Sequence, residues 1–165
     1  MAITLVSTVT IGSGGASSIE WTGIGQTGKD LLILLSGRAA VSALRNDVGV
    51  SFNGVTTNRT YRSLYHNGFN VFGSNGSQIS TFAGAVGSTA TSNTFSNVSI
   101  TVGNYATNTA KPVNLDAVIE NAQQEAWGEI LTGLWNVTDA VTSITLTPTS
   151  STFVQNSVAS LYIIS

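Results

Sequence analysis

The stretch VIENAQQEAWGEILTGLW, residues 118–135, decides the fold class. Ile119, Ala122, Ala126 and Ile130 recur every three or four residues, the spacing of a helix face. The same stretch reads equally as two strands around a turn at NAQQE, which puts Trp127, Leu131 and Trp135 on one face. Gly128 and Gly133 each cost a helix about 1 kcal/mol relative to alanine, and the strand reading is favoured. One other segment, SGRAAVSALRND (36–47), has Ala39, Ala40, Ala43 and Leu44 at loose helical spacing.

Elsewhere the alternation has a period of two. In ITLVSTVTI (3–11), Ile3, Leu5, Val9 and Ile11 share a face opposite Thr4, Thr8 and Thr10. DVGVSFNG points Val48, Val50 and Phe52 inward and ends in Asn53-Gly54, a tight-turn pair in which both residues tolerate positive φ. FSNVSITVGN turns Val98, Ile100 and Val102 one way, and KPVNLDAVIE does the same with Val113, Leu115, Ala117 and Ile119. TSITLTP is a short strand closed by Pro148, and a further short strand is expected at 78–82. About ten short strands with regular turn signals predict an all-β, two-sheet antiparallel β-sandwich. It forms a single domain over 1–165, a length that supports one core.

Two runs are apolar on both faces: DLLILLSG (30–37) and VASLYIIS (158–165). Such strands are expected at the centre of a sheet, one face on the core and the other on a second layer or a neighbouring subunit. Leu161, Tyr162, Ile163 and Ile164 therefore read as an interior strand rather than a frayed end.

The composition narrows the function classes. Hydrophobic residues make up 42% of the 165, but charged residues only 8%, against about 25% in typical domains. Disorder is excluded, because a disordered chain is charged and poor in apolar residues. Ser, Thr, Asn and Gly supply a neutral hydrogen-bonding surface instead, as in secreted adhesins and virion shells, and much of it is expected to be covered by partners. The net charge of −2 and the scattered Lys29, Arg38, Arg45, Arg59, Arg62 and Lys111 leave no phosphate-neutralising patch, so nucleic acid is not an expected partner. No run of about 18 apolar residues predicts a membrane helix. MAITLVSTVTIGSGG does not read as a signal peptide. The absence of cysteine fits synthesis in the cytoplasm.

Catalytic patterns are sparse. His66 is the single histidine and reads as a strand-end residue without an orienting partner. GSGGASS and GSNGSQ have the glycines wrongly spaced for a nucleophile elbow, neither lysine follows a phosphate-binding loop, and no acidic cluster suggests calcium. No cofactor is expected. Glu125 and Glu129 flank Trp127, the nearest approach to a glycosidase pair, though a solvated pair is the simpler reading. Asp30 and Asp47 flank strands and suit turns. Asn58, Asn75, Asn97 and Asn136 begin glycosylation sequons of the kind that chance supplies in so Asn- and Thr-rich a chain. Arg62, mid-strand in TYRSLY, can stack on tyrosine or pair across a subunit boundary. Together with Tyr65, Trp127, Trp135 and Tyr162 it makes up the candidate interface set, aromatic residues serving as core or interface anchors.

The order GIGQTGKDLLILLSGR, VGVSFNG, NRTYRSLYHNG, ATSNTFSNVSITVGNY and EILTGLW through SLYIIS resembles small jelly-roll-like structural proteins of tailed bacteriophages and prophages. The likeness runs from Gly23 to the C-terminus. It is carried by Asn93-Thr-Phe95, by Gly133-Leu-Trp135 with Ser143 to Pro148, and by Ser160-Leu-Tyr162, and it departs at GIGQTGKD, where relatives have a proline after GI. The resemblance implies a jelly-roll sandwich and a non-enzymatic capsid decoration or cement protein. It further implies a homotrimer on the virion in contact with the major capsid protein or other virion proteins, and it carries no catalytic residue. The alternative is a tail- or fibre-associated module that binds carbohydrate or receptor through exposed aromatics, with Trp127 and Trp135 as the candidates. A hydrolase using Glu125 and Glu129 is a distant third.

Overall fold

A computed structural model describes residues 1–76, 83–120, 122 and 126–165. Among them are twelve strands and no helix. In chain order these are β1 (Ile3–Thr10), β2 (Ile19–Trp21), β3 (Asp30–Ser36), β4 (Arg45–Phe52), β5 (Arg59–His66), β6 (Val71–Gly76), β7 (Ala83–Val86), β8 (Asn97–Val102), β9 (Lys111–Glu120), β10 (Ala126–Trp135), β11 (Ile144–Pro148) and β12 (Val158–Ile164). One sheet of eight runs β1-β12-β3-β8-β9-β10-β5-β6, and one of four runs β2-β11-β4-β7, every pair of neighbours being antiparallel. The chain is thus an all-β, sandwich-like protein with unequal layers.

The deciding stretch is a hairpin. β9 and β10 pair from Ala126↔Glu120 to Trp135↔Lys111, and β10 carries Leu131 and Trp135 into the core with Trp127 on the same side. The other helical candidate, 36–47, is an irregular crossing into β4. Its backbone donors reach distant partners, Ala39 N to Val86 O at 2.7 Å and Ala40 N to Thr152 O at 3.0 Å, and these long-range bonds replace helical ones. β2, β6 and β7 are strands that were not expected. β2 is three residues long, while β6 and β7 contain glycine, serine and alanine, so neither length nor alternation marks them. The strand expected at 78–82 lies outside the described residues.

The two layers meet in one large apolar cluster, with a smaller one of Val86, Ala90 and Ile119 beside Trp127. The large sheet contributes Leu31, Ile33, Leu35, Val98, Ile100, Val102, Val113, Leu115, Ala117 and Leu161; the small sheet contributes Ile19, Trp21, Val48, Val50, Phe52, Ile144 and Leu146. Asn53 and Gly54, at φ 53° and 72°, close the expected tight turn. The Asn53 side chain also clamps the next loop, donating to Ala140 O and accepting from Thr142 N, both at 2.8 Å. Two buried cations seal loops to the core. Lys111 Nζ donates to the carbonyls of Thr107, Thr109, Val137 and Thr138. Desolvation lowers its pKa, partly countered by Asp139. Arg59 donates to Val50 O and Val55 O and lies 5.3 Å from the Phe52 ring centre; burial pushes its pKa down to about 10.

One strand face departs from its alternation. The β1–β12 register slips between Leu5 and Ser7, so Val6 is a bulge, and one extra residue reverses the side on which the chain continues. Val9 and Ile11 turn toward the core, while Ile3 and Leu5 remain half exposed.

Candidate functional site

Two surfaces stand out, on opposite faces of the large sheet. Among the described residues nothing covers the outer face. β3 and β12 are central, as expected, and Leu31, Ile33, Ala159 and Leu161 are buried. Among the described residues no second layer lies over their alternate positions: Leu34 is exposed, and Leu32, Tyr162 and Ile164 are half-buried. With Ile3 and Leu5 paired to Ile164 and Tyr162, these residues make one apolar patch. A second lies across β9, β10, β5 and β6, where Val118, Ile130, Leu64 and Val71 occupy neighbouring rows. Ile130 is 64% exposed and Leu64 62%. Between the patches run Ser99, Thr101, Asn114 and Asp116.

The inner face of the same sheet outruns its cover. Four strands lie against eight, and β5 with the edge strand β6 borders a cleft of about 420 Å³ beside the small sheet. Tyr61, Ser63 and Tyr65 of β5, Phe72 and Ser74 of β6, Trp127, Glu129 and Leu131 of β10, and Arg45 and Asp47 of β4 line it, with Asn67 at the hairpin. Tyr65 and Phe72 are cross-strand partners with stacked rings 5.1 Å apart. The Tyr61 hydroxyl lies 3.2 Å from Ser74 Oγ. Gly76 is needed opposite Tyr61, since a Cβ there would come within 2.6 Å of the ring. Arg45 pairs with Asp47 and sits 4.8 Å above the Trp127 ring. Desolvation raises the Glu129 pKa, against the pull of Arg45 and a hydrogen bond from Ser63, with Asp47 adding to the rise.

The five candidate interface residues part into three environments. Arg62 and Tyr162 lie on the outer face, Arg62 donating to the Tyr61 carbonyl at 2.7 Å. Tyr65 and Trp127 line the cleft. Trp135 is a correction: it is fully buried, its ring 5.2 Å from Phe52, and it packs in the core rather than at any surface. Glu125 lies outside the described residues, and the carboxylate that shares a cleft with Glu129 is Asp47. Sequence reading gave Arg45 and Asp47 no joint role because they belong to the other sheet. Tyr61, Ser63 and Tyr65 could have been found as a set from the alternation in TYRSLY. Among the described residues no three acidic or histidine side chains gather to hold a metal ion, and no helix is long and apolar enough to cross a membrane. No protein-family model matches the chain, and no curated protein is detectably similar to it.

Proposed function

We propose that the chain is a non-enzymatic virion structural protein of jelly-roll type that decorates or cements a bacteriophage capsid as a homotrimer. The observation that carries this reading is the outer face of the eight-stranded sheet, with two apolar patches and few charges: Arg62 and Asp116 within it, and Asp30 and Glu120 at strand ends. Exposed Leu and Ile gathered on one face mark a surface that meets another protein. Neutral Ser, Thr and Asn between them are buried without the desolvation penalty of unpaired ions.

The work is mechanical. A shell filled with DNA is under internal pressure, and a subunit bridging neighbouring capsomers opposes their separation. An ordinary interface buries about 1,600 Å², and repetition over a symmetric shell turns modest contacts into strong retention.

Light scattering across a dilution series, alone and with capsids of the encoding phage, tests this. A three-chain species that persists on dilution, and falls to one chain in Ile130→Asp, is the expected outcome. A wild-type chain that remains monomeric alone and fails to bind the capsids overturns it.

A further inference from the structure

The cleft on the inner face carries chemistry that assembly through the outer face leaves unused. Its walls alternate flat polar groups with aromatic rings. In one cross-strand row Glu129, Tyr65 and Phe72 follow one another; in the next come Leu131, Ser63 and Ser74. The Arg45–Asp47 pair and the Trp127 ring complete the wall. A ligand matched to it must offer hydroxyls that both donate and accept, on a body with apolar C–H faces.

We propose that this cleft is a carbohydrate site that takes a neutral pyranose ring at the end of an oligosaccharide. Carboxylate and guanidinium groups each present two polar atoms in a plane, a spacing that serves vicinal hydroxyls. The Phe72 ring, exposed at the rim beside Tyr65, receives the C–H face of the sugar. A volume of about 420 Å³ falls within the range of small-ligand sites, roughly 300–1,000 Å³.

Charge selects the sugar class. Asp47 already neutralises Arg45, so Glu129 leaves the walls with one net negative charge. Sialylated, uronic or sulfated sugars meet repulsion there, while neutral sugars do not.

The test is a panel of immobilised neutral, acidic and sulfated oligosaccharides, followed by titration of the hits into isotopically labelled full-length protein by NMR. A choline titration serves as the cation control. Neutral sugars are expected to bind, shifting the resonances of Ser63, Tyr65 and Phe72. Phe72→Ala and Glu129→Gln, each checked by circular dichroism for an intact fold at the titration temperature, should weaken binding about tenfold or more, which is about 1.4 kcal/mol; Tyr162→Ala on the outer face should not. The proposal fails if no neutral sugar binds, if only acidic sugars or choline bind, or if binding survives both cleft substitutions.

Discussion

The inner face of the eight-stranded sheet is two surfaces in one. From β12 through β3, β8 and β9, each inward residue, such as Leu161, Ile33, Ile100 and Leu115, meets the small sheet and is dry. Past β10 the cover thins: Arg59 and Ser63 of β5 are still buried, but Tyr61, Tyr65, Phe72 and Ser74 border the open cleft. The backbone ladder is continuous across the boundary; only the opposing layer changes. Burial, rather than strand identity, thus sets which residues the face carries.

The sharpest way to break this contrast is a pair of aromatic deletions. Trp135→Ala, under the cover, should cost about 3–5 kcal/mol, whereas Phe72→Ala, at the open rim, should cost less than about 1 kcal/mol. Urea denaturation measures both, and similar losses would erase the distinction. Next in size is Lys111→Met, which keeps the stem but leaves the four carbonyls around Nζ without their donor. A buried acceptor left unsatisfied costs about 1–3 kcal/mol, so the unfolding midpoint should fall with no change in slope.

Two carboxylates sharpen the comparison through pH. Glu129 in the cleft has a raised pKa, its carboxyl in contact with Ser63 and near Arg45 and Asp47, with Tyr61 and Tyr65 also on the wall. The folded state therefore holds its proton to higher pH than the unfolded state, and stability falls as pH rises through that window. Glu129→Gln should melt higher than wild type at pH 7, and the gap should close as pH drops below the ordinary carboxylate value. Glu120, at the end of β9, behaves oppositely. Desolvation pushes its pKa up, but hydrogen bonds from Thr91, Thr94 and Ala122 outweigh this and lower it. Its contribution is present at neutral pH and is lost as pH falls through the folded value, so Glu120→Gln should melt slightly lower at pH 7 and match wild type in acid. Melting curves from pH 3 to 8 read both signs.

Much of the covered region was legible in the sequence. Alternation placed Val98, Ile100, Val102, Val113, Leu115, Ala117 and Ile119 on buried faces, and Asn53-Gly54 announced its turn. Layer sizes were not legible, because which strands pair is decided by contacts far apart in the chain. The Val6 bulge was legible only in part: Val6 and Ser7 interrupt the alternation of ITLVSTVTI, but only the register against β12 reveals that a residue is inserted there. The cleft escaped because Arg45 and Asp47 reach Trp127 and Glu129 from a different sheet. Trp135 misled as a surface anchor, since a tryptophan in an alternating strand looks alike whether or not a second layer covers it.

The pairing of β1 with β12 has a consequence in time. Thr8 and Ser160, hydrogen-bonded at 2.8 Å, are 152 positions apart, and β12 also separates β1 from β3. Synthesis proceeds at roughly 5–20 residues per second, so β1 waits roughly 8–30 s for its neighbour while one flank of β3 stays open. Topologies dominated by such distant pairings fold slowly and expose strand edges meanwhile. Slower growth at low temperature, or a chaperone that shields β3 until β12 emerges, should therefore raise the soluble yield more than any gain in final stability.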